Sequence, residues 1–374
     1  MKHLVRVVGL LVLFSLLATP VAAAPFTYPA PVLQTFPAPD APQVTAASWI
    51  LYDESAGIVV AEHNADQERA MASVTKIMTG LLVVENSFPS ELVTISDRAA
   101  NTGEKEIELE AGETLEMGAL FKALMIHSAN DAATAIAEHI SGSLEEFVSL
   151  MNRRAAELGL THTSFANPHG LDQPGHYTTA RDLLELARIA MAHPDFAAVV
   201  LAKNLVFPPA PDGANRTGSS TNLMLWSYEG TLGVKTGFTS QALLTYVAAV
   251  EREGRRLYAV LLGSDGDRAH FADAEELFDY AFKELGYFGD ASTGSPYLAM
   301  QERQTPDPLV ELGTMETFVH LASQGLMLES PSPLRGLPEP VPPPIVEVTR
   351  SADTGPRTVL DSMRYWLDRT LGAG

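Results

Sequence analysis

Cysteine is absent from the 374 residues, so no disulfide braces the fold, and thiol catalysis and zinc–thiolate sites are excluded. Basic residues are scarce: 25 Lys and Arg stand against 46 Asp and Glu, a formal charge of −21. A surface of that sign repels phosphate backbones over any range that salt leaves unscreened, so no nucleic acid partner is expected. The N-terminal apolar run covers only Val7 to Leu17, short of the roughly 20 residues that a membrane-spanning helix needs. What is present is ordinary for a soluble globular protein: 46% hydrophobic, 7% aromatic and 19% charged residues, long enough for one large catalytic domain and a smaller appendage.

Lys2, His3 and Arg6 precede the apolar run, and Val21, Ala22 and Ala23 supply small residues for cleavage. Residues 1–23 therefore read as a signal peptide, and the mature chain is expected in the periplasm or on the outer face of the cytoplasmic membrane. Residues 24–44 follow as a proline-rich tether, holding Pro25, Pro29, Pro31, Pro37, Pro39 and Pro42. The main domain is assigned to residues 45–286. Residues 287–350 read as a short C-terminal region, a truncated or replaced β-domain, whose stretch 331–344 is a stiff proline-rich linker. In the final segment, 351–374, the pattern predicts an amphipathic helix over 358–371 with Val359, Met363, Trp366 and Leu367 on one face. That face fits either docking on the protein itself or peripheral contact with a membrane, for which Trp366 argues.

Within the main domain, Trp49–Tyr52 and Gly57–Glu62 read as a hairpin. Helical periodicity follows over Ser73–Val84, Thr114–Ile126, Asp131–Ile140, Ser143–Leu158 and Thr179–Ala192, with Ser143 and Glu146 as a capping box and Gly159 and Pro194 as stops. Strands return at Gly230–Val234, Leu243–Val250 and Leu257–Gly263, and a closing helix spans Ala269–Leu285. Strands at both ends with helices between predict an α+β domain: one antiparallel sheet built from the two ends and covered by a helical cluster.

Three short motifs carry chemistry. Of seven lysines, only Lys76 has a serine three residues earlier, giving Ser73, Val74, Thr75, Lys76. About one such match is expected by chance in a chain this long, and Ser73 alone reads equally well as a helix cap. Positions i and i+3 share a helix face, however, so the Lys76 amine can reach the Ser73 hydroxyl. No His–Asp pair of evident spacing stands near Ser73 in sequence, and a lysine could serve as base instead. That requires its pKa to fall well below about 10.4, through burial and a second cation. Lys235, in Gly233, Val234, Lys235, Thr236, Gly237, Phe238, could be that cation, although alone the run reads as a strand ending in a glycine turn. SxN occurs twice, at Ser128, Ala129, Asn130 and at Ser220, Thr221, Asn222, and Asn130 could simply cap a helix. The order SxxK, SxN, KTG is that of penicillin-binding proteins and class A β-lactamases.

The run Met71 to Thr79 resembles the active-serine helix of the D-alanyl-D-alanine carboxypeptidases, the low-molecular-mass penicillin-binding proteins. Asn167 to Asp172, Gly175 to Asp182 and Asn222 to Trp226 resemble further signatures of that family, which leaves Ser128–Asn130 as the active-site SxN. The likeness spans about residues 45–286 and implies a β-lactamase/transpeptidase-like fold. It also implies that Ser73 attacks the carbonyl between two D-alanines of a peptidoglycan stem peptide, with Lys76 accepting the proton. Ser128 would pass a proton to the leaving amine, Asn130 hold the substrate amide, Lys235 and Thr236 bind the terminal carboxylate region, and Gly237 let the strand edge come close to the substrate. The N–H groups of Ser73 and Phe238 would form the oxyanion hole. β-Lactams are expected to acylate Ser73, and no cofactor or metal is implied.

The sequence departs from the family pattern at Ala129, where glycine is usual, and at Leu243, where glycine is common. A β-lactamase shares the three motifs, but no glutamate stands in a recognisable class A deacylation motif. Endopeptidase and transpeptidase readings differ only in the accepted substrate or nucleophile. A metal site at His162, His169 and His176 lacks an HExxH-type pattern, and a non-catalytic wall-binding module would not need Ser73, Lys76 and Lys235.

Overall fold

The structure, a computed structural model, describes residues 34–35 and 41–284. The leader, most of the tether, the region 287–350 and the C-terminal helix lie outside the described residues. The elements, in order, are β1 (Gln34–Thr35), β2 (Ser48–Asp53) and β3 (Ile58–His63), then a 3-10 turn Ala72–Thr75 running into α1 (Lys76–Asn86). Next come β4 (Leu92–Thr94), α2 (Asp97–Ala100), β5 (Thr114–Glu116), α3 (Met117–Lys122) with a π turn Ala123–His127, α4 (Asn130–Ser141) and α5 (Leu144–Glu157). The chain continues through α6 (Ala180–Met191), α7 (Pro194–Leu201), β6 (Asn204–Phe207), β7 (Arg216–Ser219) and α8 (Met224–Ser227). It closes with β8 (Thr231–Thr239), β9 (Leu243–Arg252), β10 (Arg255–Ser264) and α9 (Ala269–Asp279), the last followed by a π turn Tyr280–Glu284.

The main sheet has the order β1-β3-β2-β10-β9-β8. β10 pairs antiparallel with β2, Val260 facing Ile50, so the two ends of the domain join in one sheet. Alternation decides what each face covers. Ile50, Tyr52, Val247, Ala249, Tyr258, Val260 and Leu262 point into the helical cluster that contains α1, α4 and α6. Trp49, Leu51, Tyr246, Ala248, Val250, Ala259 and Leu261 pack with Ala274, Leu277 and Phe278 of α9. With both faces covered, β9 and β10 read as continuous apolar runs rather than as alternating ones.

Several elements depart from the sequence reading. The helix expected over Thr114–Ile126 begins only at Met117, because Thr114–Glu116 pair with β4, and it ends in a π turn. The 3-10 turn at Ala72–Thr75 precedes α1, and Ala72 has φ +50°, so Ser73 does not cap the helix. Lys235–Gly237 lie inside β8, which runs on to Thr239 rather than ending at Val234. Within the tether, Gln34–Thr35 add a short parallel edge to β3. Pro194, read as a stop, is also the first residue of α7, where its fixed φ suits a helix start. Ser143 caps α5 as expected, its hydroxyl accepting from Glu146 N.

Candidate active site

The 3-10 turn, the start of α4, the loop at 167–172 and the edge strand β8 meet around one amine. Lys76 Nζ lies 3.0 Å from Ser73 Oγ, 2.7 Å from Asn130 Oδ1 and 2.6 Å from the His169 carbonyl oxygen. The side chain is fully buried. Asn130 Nδ2 donates to the Gly103 carbonyl, which fixes Oδ1 toward Lys76. A neutral amine has two N–H donors and one lone pair. The Asn130 and His169 oxygens can only accept, so they take both N–H groups and leave the lone pair for the Ser73 O–H. Electrostatics favour that form: burial holds Lys76 well below its ordinary value, and the Lys235 ammonium lowers it further.

Lys235, 1% exposed, is pushed down to about 7, first by burial and then by Lys105. Its Nζ donates to the Thr236 carbonyl.

Close approach sets β8 against Ser73. A Cβ on Gly237 would lie 2.7 Å from Ser73 N and 2.5 Å from Thr245 Oγ1, so only glycine permits this contact. On the other side, Gly170, at φ +98°, packs where a Cβ would lie 2.0 Å from the Ala72 carbonyl oxygen. Thr245 Oγ1 donates to the Met71 carbonyl, tying β9 to the same turn. Thr236 Oγ1 donates to Thr221 Oγ1, and Phe238 projects outward, 65% exposed.

Ser128 sits two residues before Asn130 at φ 67°, ψ 33°, while Ala129 has φ −65° and is under no strain as a replacement for glycine. Leu243 is different: its φ of +57° lies in the left-handed region, where a leucine is strained. The carboxylate of Asp131 accepts from the N–H groups of Ile107, Leu109 and Ala132, holding the loop over α4. Burial nevertheless raises its pKa.

Motif reading missed the contribution of the 167–176 segment. Asn167 Oδ1 accepts from Gly170 N and Nδ2 donates to the Leu171 carbonyl, and the turn so formed presents the His169 carbonyl to Lys76. Thr75 Oγ1 donates to the Ala72 carbonyl. His176 Nδ1 accepts from Ala166 N, so its Nε2–H donates to Thr75 Oγ1. Burial pushes His176 down to about 4 and His169 down to about 3. The signal was the Asn167–Asp182 signature itself, which names residues but not the backbone oxygen they aim. The second SxN serves the same neighbourhood structurally: Asn222 Oδ1 accepts from Tyr246 Oη.

A profile of the family described as D-alanyl-D-alanine carboxypeptidase matches residues 35–266, more than half of the chain. The chain belongs to that family. Among its relatives, the D-alanyl-D-alanine carboxypeptidase DacC of Escherichia coli is 37% identical over 258 residues, covering 65% of this chain and 63% of its own length. DacF of Bacillus subtilis is 32% identical over 292 residues, covering 75% of this chain and 73% of its own. This family member thus spans less than two thirds of the length of DacC. Among solved structures, the Streptomyces K15 DD-transpeptidase aligns with TM-score 0.61 at 30% identity, covering 64% of this chain and 98% of that one. A penicillin-binding protein homolog from Mycobacterium tuberculosis aligns with TM-score 0.63 at 29% identity, covering 67% and 96%. The α+β, β-lactamase/transpeptidase-like fold expected from the motif order is therefore the fold of the domain.

Proposed function

We propose that the chain is a serine-type D-alanyl-D-alanine carboxypeptidase that removes the terminal D-alanine of peptidoglycan pentapeptide stems. The observation that carries this reading is the Lys76 amine, 3.0 Å from Ser73 Oγ with both its hydrogens committed elsewhere. The Ser73 proton passes to that lone pair as Oγ attacks the carbonyl between the two D-alanines. The N–H groups of Ser73 and Phe238 receive the oxyanion, each such donor contributing about 2.7–4 kcal/mol to the barrier reduction. Lys235 and Thr236 hold the terminal carboxylate, Gly237 lets the substrate backbone lie against β8, and Asn130 holds the amide. Collapse breaks the C–N bond. The proton moves through Ser128 to the leaving amine, and D-alanine departs. Water then attacks the ester, its proton taken by Lys76, and the tetrapeptide and free Ser73 are restored.

The leader composition supports export to the periplasmic side, and Trp366 supports peripheral membrane contact as one of the two readings of the C-terminal segment, the other being docking on the protein itself. D-Alanine release from a pentapeptide stem tests the reading: wild-type protein releases it and Ser73→Ala does not. Release by Ser73→Ala would overturn it. The likeness to a DD-transpeptidase favours a second outcome, in which an acceptor amine replaces water. Product analysis with an added amine separates tetrapeptide from crosslinked dimer.

A further inference from the structure

We propose that Lys105 is a further substrate-recognition residue of this site: its ammonium, at the rim of the cleft, attracts the carboxylate of the incoming ligand and offsets the repulsion of a chain whose net charge is −21. This inference rests on the carboxypeptidase reading above, and it adds a third lysine to a site whose motifs name only Lys76 and Lys235. A ligand ending in a carboxylate approaches an acidic surface at a disadvantage. Both motif lysines are buried; Lys76 works as an uncharged amine, and Lys235 meets the carboxylate only at contact. Attraction from outside the cleft needs an exposed cation.

The loop between α2 and β5 supplies one. Over residues 104–116 six glutamates surround a single basic residue, Lys105, and it is this residue whose carbonyl accepts from Asn130 N at 2.6 Å. Asn130 Nδ2 donates to the Gly103 carbonyl, and Oδ1 lies 2.7 Å from Lys76 Nζ, so one asparagine links the Lys105 backbone to the reactive amine. Just beyond, the Asp131 carboxylate accepts from Ile107 N and Leu109 N and anchors the loop. The backbone of Lys105 is therefore fixed, while its side chain is exposed. Among the described residues no carboxylate lies within 4.0 Å of that ammonium. The carboxylate of the next residue, Glu106, is turned back onto Gly103 N at 2.6 Å. The Lys105 charge lowers both Lys235 of β8 and His127 at the end of the π turn, which puts the ammonium on the face of the loop toward the cleft. Because Asn130 is held by the Lys105 carbonyl, replacing the side chain changes the charge at the rim and leaves that clamp in place.

The test is the second-order rate at which a penicillin with a single carboxylate acylates the full chain, followed by intact mass at about 20 mM and about 0.5 M salt. A pH of about 6 keeps Lys235 charged in every variant, since it lies below the value of about 7. At the lower salt Lys105→Gln is expected to react about threefold more slowly than wild type, the scale of one unit charge acting within a Debye length, and Lys105→Glu about tenfold more slowly. At the higher salt the three rates converge. Lys105→Arg keeps both the wild-type rate and its salt dependence. A loss of equal size at both salts marks a structural role and overturns the proposal, as does an unchanged rate in Lys105→Gln and Lys105→Glu. A wild-type protein that takes no penicillin on Ser73 fails at the level of the proposed function. One that is acylated there at the same rate in every variant fails only here.

Discussion

Lys76 faces the Asn130 and His169 oxygens, which can only accept, and the Ser73 hydroxyl; the way it meets all three depends on its charge. As an ammonium it would donate to all three and hold the Ser73 proton in place; as an amine it can remove that proton. Lys76→Ala is therefore expected to slow penicillin acylation of Ser73 at least about a hundredfold, the usual scale for losing an acid–base group. Intact-mass measurement against time checks this, and an unchanged rate removes Lys76 from its role. The neighbouring cation acts on the other limb. Lys235 is pushed down to about 7, so carboxylate binding is lost as pH rises through that value, and kcat/KM for D-alanine release should fall on the alkaline side. A profile that stays flat to pH 10 contradicts this. At this scale the sequence was informative about which side chains come together: Ser73, Lys76, Asn130 and Lys235, singled out by spacing and order, are brought around one buried amine. The His169 carbonyl was not singled out, because every residue has one and only the folded turn at Asn167 aims it.

Elements place these groups by backbone contact, and small residues decide how close they come. Gly237→Ala would put a methyl 2.7 Å from Ser73 N, so β8 must move away from the 3-10 turn. The expected result is a folded protein that acylates at least about tenfold more slowly, since one displaced oxyanion donor alone costs more than that. Leu243 gives the opposite expectation. Leu243→Gly relieves a left-handed φ of +57°, worth about 1–2 kcal/mol, against about 0.5–1 kcal/mol of added chain entropy in the unfolded state. Chemical denaturation should show a stability equal to or above wild type, and a clear loss would refute the strain argument. Legibility also varied by element. The long strands β9 and β10 were visible as apolar runs and helices α4 to α6 in periodicity. The three-residue strands β4 and β5 were not, because each takes its extended form from its partner rather than from its own pattern. The π turn after α3 has no sequence signature, and it sets Ser128 at positive φ.

Across the whole molecule, the core supports a site that carries several buried polar groups. Arg216 and Glu113 form a bidentate pair at 2.9 and 3.0 Å with side chains only 3% and 7% exposed. Arg216→Met alone should destabilise the protein by about 3–5 kcal/mol, because it strands a buried carboxylate, while adding Glu113→Leu should recover much of the loss. His176 is one of the buried histidines, with His169 and His270, that set the acid limit of the fold. Its folded value of about 4 lies below the ordinary 6.5, so the unfolded chain binds the proton more readily. The contribution of His176 is then complete above pH 6.5 and falls by about 3 kcal/mol as pH drops to 4. Chemical denaturation at stepped pH should show that slope, reduced in His176→Gln. The two-ended sheet was legible because strands at both ends of a domain need each other to complete one layer. The packing of α9 on the second face was less so, since β9 and β10 read alike whichever face is covered. The central claim is the neutral amine beside the nucleophile, and the most direct measurement is the pH dependence of the second-order rate of penicillin acylation at Ser73. The account predicts a rising limb at a pH well below the ordinary lysine value, absent from Lys76→Ala. A limb near pH 10.4, or the same limb in that variant, would contradict it.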